Sequence, residues 1–187
     1  GRKTLRKLLD AAATEFAEKG FHEASISGIT RSAGVALGTF YTYFDSKDAV
    51  FRALVSDMSA GVGKAAREAL DPSMGALEIE RVALRAFLEF AAEHKEIYRI
   101  IDEAEFVDPD SYRAHYETIG SRIEERLKLG GESGEFAPGL GTPEAWAVMG
   151  MNVFLGLRYV IWGREGDPDF EEIARRANML LTRGIAS

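Results

Sequence analysis

Between Ala36 and Lys47 the chain sets hydroxyls, aromatic rings and a cation at spacings that suit contact with a polyanion. If Phe40 and Phe44 turn inward with Ile26, Ile29, Ala33 and Val35, a short helix there presents Ala36, Leu37, Gly38, Thr39, Tyr41, Thr42 and Tyr43 outward. Thr and Tyr hydroxyls can donate to phosphate oxygens or base edges, and a Thr methyl or Tyr ring can touch a thymine methyl. Gly38, with no side chain, allows close approach. Ser25 and Ser27, at the start of the preceding helix, extend the same candidate surface. Tyr41 and Tyr43 have a second option, which is to pack against the following helix.

Such a surface needs elements to hold it. The periodicity is helical almost throughout and no alternating run carries hairpin chemistry, so the expected fold is all-α with nine helices. Leu5, Leu8, Leu9, Ala12, Ala13 and Phe16 place a first helix over Thr4 to Lys19, ended by Gly20. Ser25 caps a short helix to Ala33, Gly34 supplies the left-handed turn, and the second short helix runs over residues 36 to 43. Asp45 or Ser46 caps a long fourth helix to about Leu70. Further helices are expected from Ser73 to His94, Glu96 to Phe106 and Pro109 to Leu129. The stretch from Gly130 to Gly141 reads as loop, and Thr142-Pro143-Glu144 and Asp167-Pro168-Asp169 read as helix starts.

Two short helices joined at a glycine form a helix-turn-helix, whose second helix enters the DNA major groove. The run Gly34-Val35-Ala36-Leu37-Gly38-Thr39-Phe40-Tyr41-Thr42-Tyr43-Phe44-Asp45-Ser46-Lys47 resembles the turn, recognition helix and following helix start of the tetracycline-repressor (TetR) family. The likeness covers about residues 4 to 55. It implies Thr39, Tyr41, Tyr43 and Lys47 as DNA contacts, with Lys47 on a phosphate. Leu37 departs from the polar residue often found at that place, which leaves base readout to few side chains. The implied division is a DNA-binding domain over 1–46 and an effector-binding and dimerisation domain over 47–187.

The body beyond the helix-turn-helix carries two further features. Trp146, Met149, Val153, Gly156, Val160 and Gly163 recur at heptad spacing, and Ile173, Ala177, Leu180 and Leu181 add a second stripe. A two-fold four-helix interface built on Val153, Gly156, Val160, Gly163, Ile173, Ala177, Leu180 and Leu181 is expected, the alternative being an intramolecular core. Paired half-sites make a homodimer useful to a short helix-turn-helix. The aromatic set Phe87, Phe90, Tyr98, Phe106, Tyr112, Tyr116, Trp146 and Phe154, with Met149 and Asn152, could line an apolar cavity, and the resemblance implies an inducer pocket there. The expected activity is a ligand-responsive repressor of operator DNA, released by a hydrophobic small molecule. Control by a protein partner is the alternative.

Charge is unevenly shared along the 187 residues. Residues 1 to 54 hold eight Lys and Arg against six acids, net +2, whereas the rest holds fifteen against twenty-four, net -9, so only the N-terminal third favours a polyanion. The basic Arg2, Lys3, Arg6 and Lys7 form a terminal arm or a solvated tail. With no Cys, thiolate metal sites, disulfides and cysteine nucleophiles are excluded. The apolar run from Ala145 to Trp162 is interrupted by Asn152 and Arg158, so neither a membrane span nor a signal peptide is expected, and the cytoplasm is the default location. His94 and His115, with Asp102, Glu103, Glu105 and Asp108 nearby, lack metal-ligand spacing, so a helical metal enzyme is the distant alternative and no cofactor is expected.

Overall fold

The computed structural model describes residues 1–184. Among these are nine α-helices and no strand: α1 (Arg2–Glu23), α2 (Ile26–Ala33), α3 (Leu37–Tyr41), α4 (Lys47–Ala69), α5 (Ala76–Glu93), α6 (Glu96–Val107), α7 (Pro109–Glu132), α8 (Thr142–Gly156) and α9 (Phe170–Gly184). The helix expected to reach Gly163 changes pitch instead. After Gly156 a π-helical turn, Leu157–Ile161, continues the chain, and the Trp162 amide reaches back five residues to the Leu157 carbonyl at 2.9 Å. No helix among the described residues is long and apolar enough to cross a membrane.

Two compact units divide the chain. The first comprises Gly1–Ser59 with Glu96–His115, the second Ala60–Lys95 with the described residues from 116 onward. The expected boundary after residue 46 does not coincide with this division, because α6 packs on α1 and α4 contributes to both units. In the first unit Phe51 meets the rings of Phe16 and Phe21 edge-on, each pair 5.2 Å between centroids, beside the fully buried Leu8, Ile29, Phe40 and Val50. The second unit buries Ile123, Leu127, Phe136, Ala145, Val148 and Met149 as one cluster.

Local chemistry explains the helix ends. Ser46 caps α4 by accepting the Ala49 amide at 3.1 Å, and Asp169 caps α9 by accepting the Glu172 amide at 2.8 Å. At α8 the cap is Gly141, whose amide donates to Glu144 at 2.8 Å, and Thr142 is the first helical residue, its hydroxyl donating to Glu124 at 3.1 Å. Ser73 is not a cap either. It folds back on Asp71 in a tight turn, α5 starts at Ala76, and the Ala76 amide donates to Glu135 at 2.8 Å. The glycine-rich loop is shorter than expected because α7 continues through Gly130, against which the Phe136 ring lies so closely that a Cβ would fall 2.3 Å from it. Phe136, 1% exposed, plugs the end of that helix from inside a stretch read as structureless.

Candidate functional site

In the first unit the turn between α2 and α3 has the conformation its residues call for. The Ser25 hydroxyl accepts the Gly28 amide at 3.0 Å, and Gly34 closes α2 at φ 67°, ψ 37°, a left-handed state that glycine enters without strain. Beneath α2, the buried Glu15 carboxylate accepts from Lys19 Nζ at 2.8 Å and from the Ser25 amide at 3.2 Å. Burial opposes its charge, but the Lys19 and Ser25 bonds with the charge of Arg31 outweigh this and hold its pKa below the ordinary glutamate value. Gly28 is required for that seat, since a Cβ there would lie 2.2 Å from Glu15 Oε1.

Phe40 is fully buried and Phe44 nearly so, and the rest of α3 faces outward as expected. Leu37 and Tyr41 are each 50% exposed, Ala36, Gly38 and Thr42 are exposed, and nothing lies within 4 Å of a Cβ built on Gly38. Thr39 and Tyr43 are half-buried. The Thr42 hydroxyl donates to the Thr39 carbonyl at 2.5 Å, which turns it back on its own helix, and the Tyr43 hydroxyl donates to the Gly1 carbonyl at 3.1 Å. Ser25 and Ser27 are exposed beside this face. The basic residues Arg2, Lys3, Arg6 and Lys7 are not a free arm. They stand exposed on α1, which begins at Arg2, and Arg6 pairs with Asp10 at 2.8 Å and Asp57 at 2.9 Å.

Lys47 has a task other than the phosphate contact expected of it. Its Nζ donates to the carbonyls of Phe21 at 2.7 Å, His22 at 3.2 Å and Ala24 at 3.1 Å, and sits 4.5 Å from the Phe21 ring centroid. Those bonds engage all the donors an ammonium has. Lys47 therefore ties the start of α4 to the chain leaving α1. The same segment is gripped from α6, where Arg99 donates to the Ala17 carbonyl and Glu103 accepts the Phe21 amide at 2.5 Å. Gly20, at φ 76°, breaks α1 beneath that grip.

The second unit contains a cavity of about 60 Å³. Its wall takes Val62, Gly63 and Ala66 from α4, Ala83 and Phe87 from α5, Ile119, Arg122, Ile123 and Arg126 from α7, and Met149, Asn152 and Val153 from α8. Of the residues expected to line a pocket, Phe87, Met149 and Asn152 do so. Phe90 lines a separate open groove, and Tyr116 packs on the core cluster. Tyr98, Phe106 and Tyr112 belong to the first unit, Phe106 being 82% exposed, while Trp146 and Phe154 point outward at 43% and 70%. Nine of the twelve wall residues lie outside the expected set, Arg122 and Arg126 among them. Their signal was two arginines inside the apolar stripe Ile119, Ile123, Leu127. Arg126 Nε and Nη2 donate to the buried Glu80 at 2.7 and 3.2 Å.

The residues expected at a dimer interface separate into two groups. Gly156, Val160, Ile173 and Ala177 are buried within the single chain, so they serve the intramolecular core, and α9 packs on α5. Val153 and Leu181 are half-buried and pack on the core cluster, whereas Gly163 and Leu180 are exposed, Leu180 at 67%. Phe154, Trp162 and Met179 are also exposed, which the heptad spacing did not single out. His115 is buried with its Nδ1 2.5 Å from Ser59 Oγ, His94 lies 4.6 Å from the Phe90 ring, and the described residues hold no group of three His, Asp or Glu set for a metal.

Residues 8–54 match the family model described as bacterial regulatory proteins, tetR family. The helix-turn-helix transcriptional regulator YdgC of Bacillus subtilis strain 168 is 33% identical over 104 residues, so the chain spans about half of that relative (54% of this chain, 53% of YdgC). YhgD, a regulator of the same class and organism, is 25% identical over 185 residues, covering 96% of this chain and 95% of YhgD. Among solved structures, FadR of Bacillus subtilis in complex with stearoyl-CoA shares the fold with TM-score 0.82 at 21% identity, over 96% of this chain and 98% of FadR. The helix-turn-helix segment over residues 8–54 is thus a domain of the tetR family of bacterial regulatory proteins, and the all-α fold of the whole chain is similar to that of FadR.

Proposed function

We propose that this chain is a repressor that binds operator DNA as a homodimer through the α3 face and leaves it when a hydrophobic small molecule fills the cavity of the second unit. The observation that carries the DNA-binding part is the outward face of α3, where Leu37 and Tyr41 stand half-exposed on either side of the open Gly38 while Phe40 anchors the helix. Thr39, Tyr41, Ser25 and Ser27 are the polar groups offered to the duplex. Tyr43 and Thr42 shape that face. Residues 1–46 read DNA, and residues 47–187 provide effector binding and dimerisation.

At about 60 Å³ the cavity is smaller than the roughly 150 Å³ that admits benzene, so a ligand must widen it. Its wall includes Val62, Gly63 and Ala66 of α4, the helix whose first turn holds Lys47. A ligand that favours the widened state shifts α4 between two positions and weakens DNA binding by a coupling of about 1–3 kcal/mol, or roughly 5- to 150-fold. The FadR complex with stearoyl-CoA supports an acyl chain as the occupant. For dimerisation, the exposed Phe154, Trp162, Met179 and Leu180 are the apolar residues offered by α8, its π-turn and α9.

Fluorescence anisotropy with duplexes from the chain's own upstream region, with and without decanoyl-CoA, tests both halves. Saturable binding to one duplex that the ligand weakens at least fivefold is expected. Binding that no acyl ligand alters favours the second reading, control by a protein partner, for which the 82% exposed Phe106 between Glu105 and Asp108 is the specific observation.

A further inference from the structure

We infer that the cavity's ligand is an acyl compound whose carbonyl oxygen is bound by the side-chain amide of Asn152. The inference rests on the reading of the cavity as the site of an acyl effector. Between Glu144 and the end of α8 at Gly156, only Trp146 and Asn152 carry a side-chain nitrogen or oxygen, and of these only Asn152 belongs to the cavity wall. The helix itself gains nothing from an asparagine there. Its carboxamide competes with the backbone for hydrogen bonds, and leucine or methionine would favour the helix more. Nor does Asn152 complete a network within the fold. Of the three polar side chains on the wall, Arg126 donates twice to the buried Glu80, at 2.7 and 3.2 Å, and Arg122 has its own partner within the chain. The Asn152 side chain, alone of the three, makes no hydrogen bond with any described residue.

Depth along α8 sets which part of a ligand meets Asn152. Met149, three residues earlier on the same wall, is 4% exposed and belongs to the core cluster with Ile123, whereas Asn152 is half-buried. An alkyl chain laid against Met149, Ile123 and Phe87 therefore ends beside Asn152, at the more open side of the cavity. There the carboxamide is within reach of solvent. A ligand that covers it takes that solvent away, and must either return a hydrogen bond or leave a polar group unpaired against its own apolar body. An acyl carbonyl meets this requirement with a single atom, since its oxygen accepts from the amide NH2 and the alkyl chain begins at the next carbon. A hydrocarbon end offers nothing in exchange. Asn152 is in this way the residue that distinguishes an acyl ligand from an alkyl one of the same length.

Isothermal titration of the full chain with decanoyl-CoA and with S-decyl-CoA, the thioether that has a methylene in place of the carbonyl, tests this. Decanoyl-CoA is expected to bind about tenfold or more tightly, the size of effect that follows from covering a polar group without pairing it. Asn152→Leu, close in size and apolar, should bring the two ligands within about twofold of each other, by weakening decanoyl-CoA while S-decyl-CoA holds or gains. Asn152→Asp keeps the shape, has no donor when ionised, and should lose the preference as well, so it serves if Asn152→Leu does not fold. Equal binding of the two ligands by the unaltered chain overturns the carbonyl contact and leaves the effector site standing. So does a preference that survives the substitutions, or a loss that falls equally on both ligands. Binding of neither overturns the acyl reading and this inference with it.

Discussion

Replacing Lys47 with methionine keeps most of the stem and removes the ammonium that holds the end of α1. The three hydrogen bonds are of unequal weight. Those to Phe21 and Ala24 are partly buried, whereas the bond to the His22 carbonyl is exposed and water replaces it. A hydrogen bond from a charged donor contributes about 1.5–3 kcal/mol when buried. Lys47 is half-buried, so the pair counts for about 2–3 kcal/mol together, the contact with the Phe21 ring included. For a chain of this length that corresponds to a fall in Tm of roughly 4–12 °C. Thermal melts by circular dichroism, run beside DNA titrations at several salt concentrations, separate this role from a phosphate contact. Lys47→Met should melt earlier and bind DNA less well at every salt concentration, with the salt slope unchanged. An unchanged Tm together with a salt slope reduced by about 1 would refute the reasoning and return Lys47 to the phosphate.

Other perturbations have equally definite outcomes. Because the Glu15 pKa is depressed in the folded chain, its contribution is complete above the unfolded value of roughly 4.3 and is lost as pH falls through the folded value. Acid titration of Glu15→Gln by tryptophan fluorescence should therefore show a shallower stability loss below about pH 4.5 than the unaltered chain, and parallel curves would remove the role given to Glu15. Leu180→Glu and Phe154→Glu should each yield monomers in sedimentation velocity without lowering Tm, since both residues are exposed in the single chain. Dimers surviving both changes would place the interface elsewhere. Gly130→Val should expel the Phe136 ring and lower stability by about 3 kcal/mol or more, comparable to emptying a buried aromatic site. A melt within 2 °C of the unaltered chain would contradict the plug.

Much of the first unit could be read from the sequence because its signals are local. Ser25, Gly34 and Ser46 act within three residues of themselves, and the alternation of Phe40 and Phe44 with exposed neighbours is set by helical period alone. Lys47 was read correctly as belonging to the start of α4, but its partners lie more than twenty residues upstream, at the end of α1. No spacing rule brings those carbonyls to it. The body was harder for the same reason. Aromatic content suggested a pocket, yet Phe106 and Phe154 ended on the surface, and the wall of the cavity came from small residues and two arginines spread over four helices. Gly63 reads as a flaw in a helix until the Arg122 guanidinium is seen in its place. The heptad seam on α8 was real as a pattern, but a period of seven does not say which partner fills it, and for Gly156 and Val160 the partner is the chain itself.

The central claim is that the exposed face of α3 reads a particular duplex. The most direct measurement is the ratio of affinities for the chain's own upstream operator and for a scrambled duplex at about 150 mM salt, taken for the unaltered chain and for Tyr41→Ala. A preference of about a thousandfold or more is expected for the unaltered chain, and Tyr41→Ala should reduce it while leaving scrambled-duplex affinity and its salt slope in place. Equal affinity for both duplexes, or a preference untouched by Tyr41→Ala and Thr39→Ala alike, would contradict it.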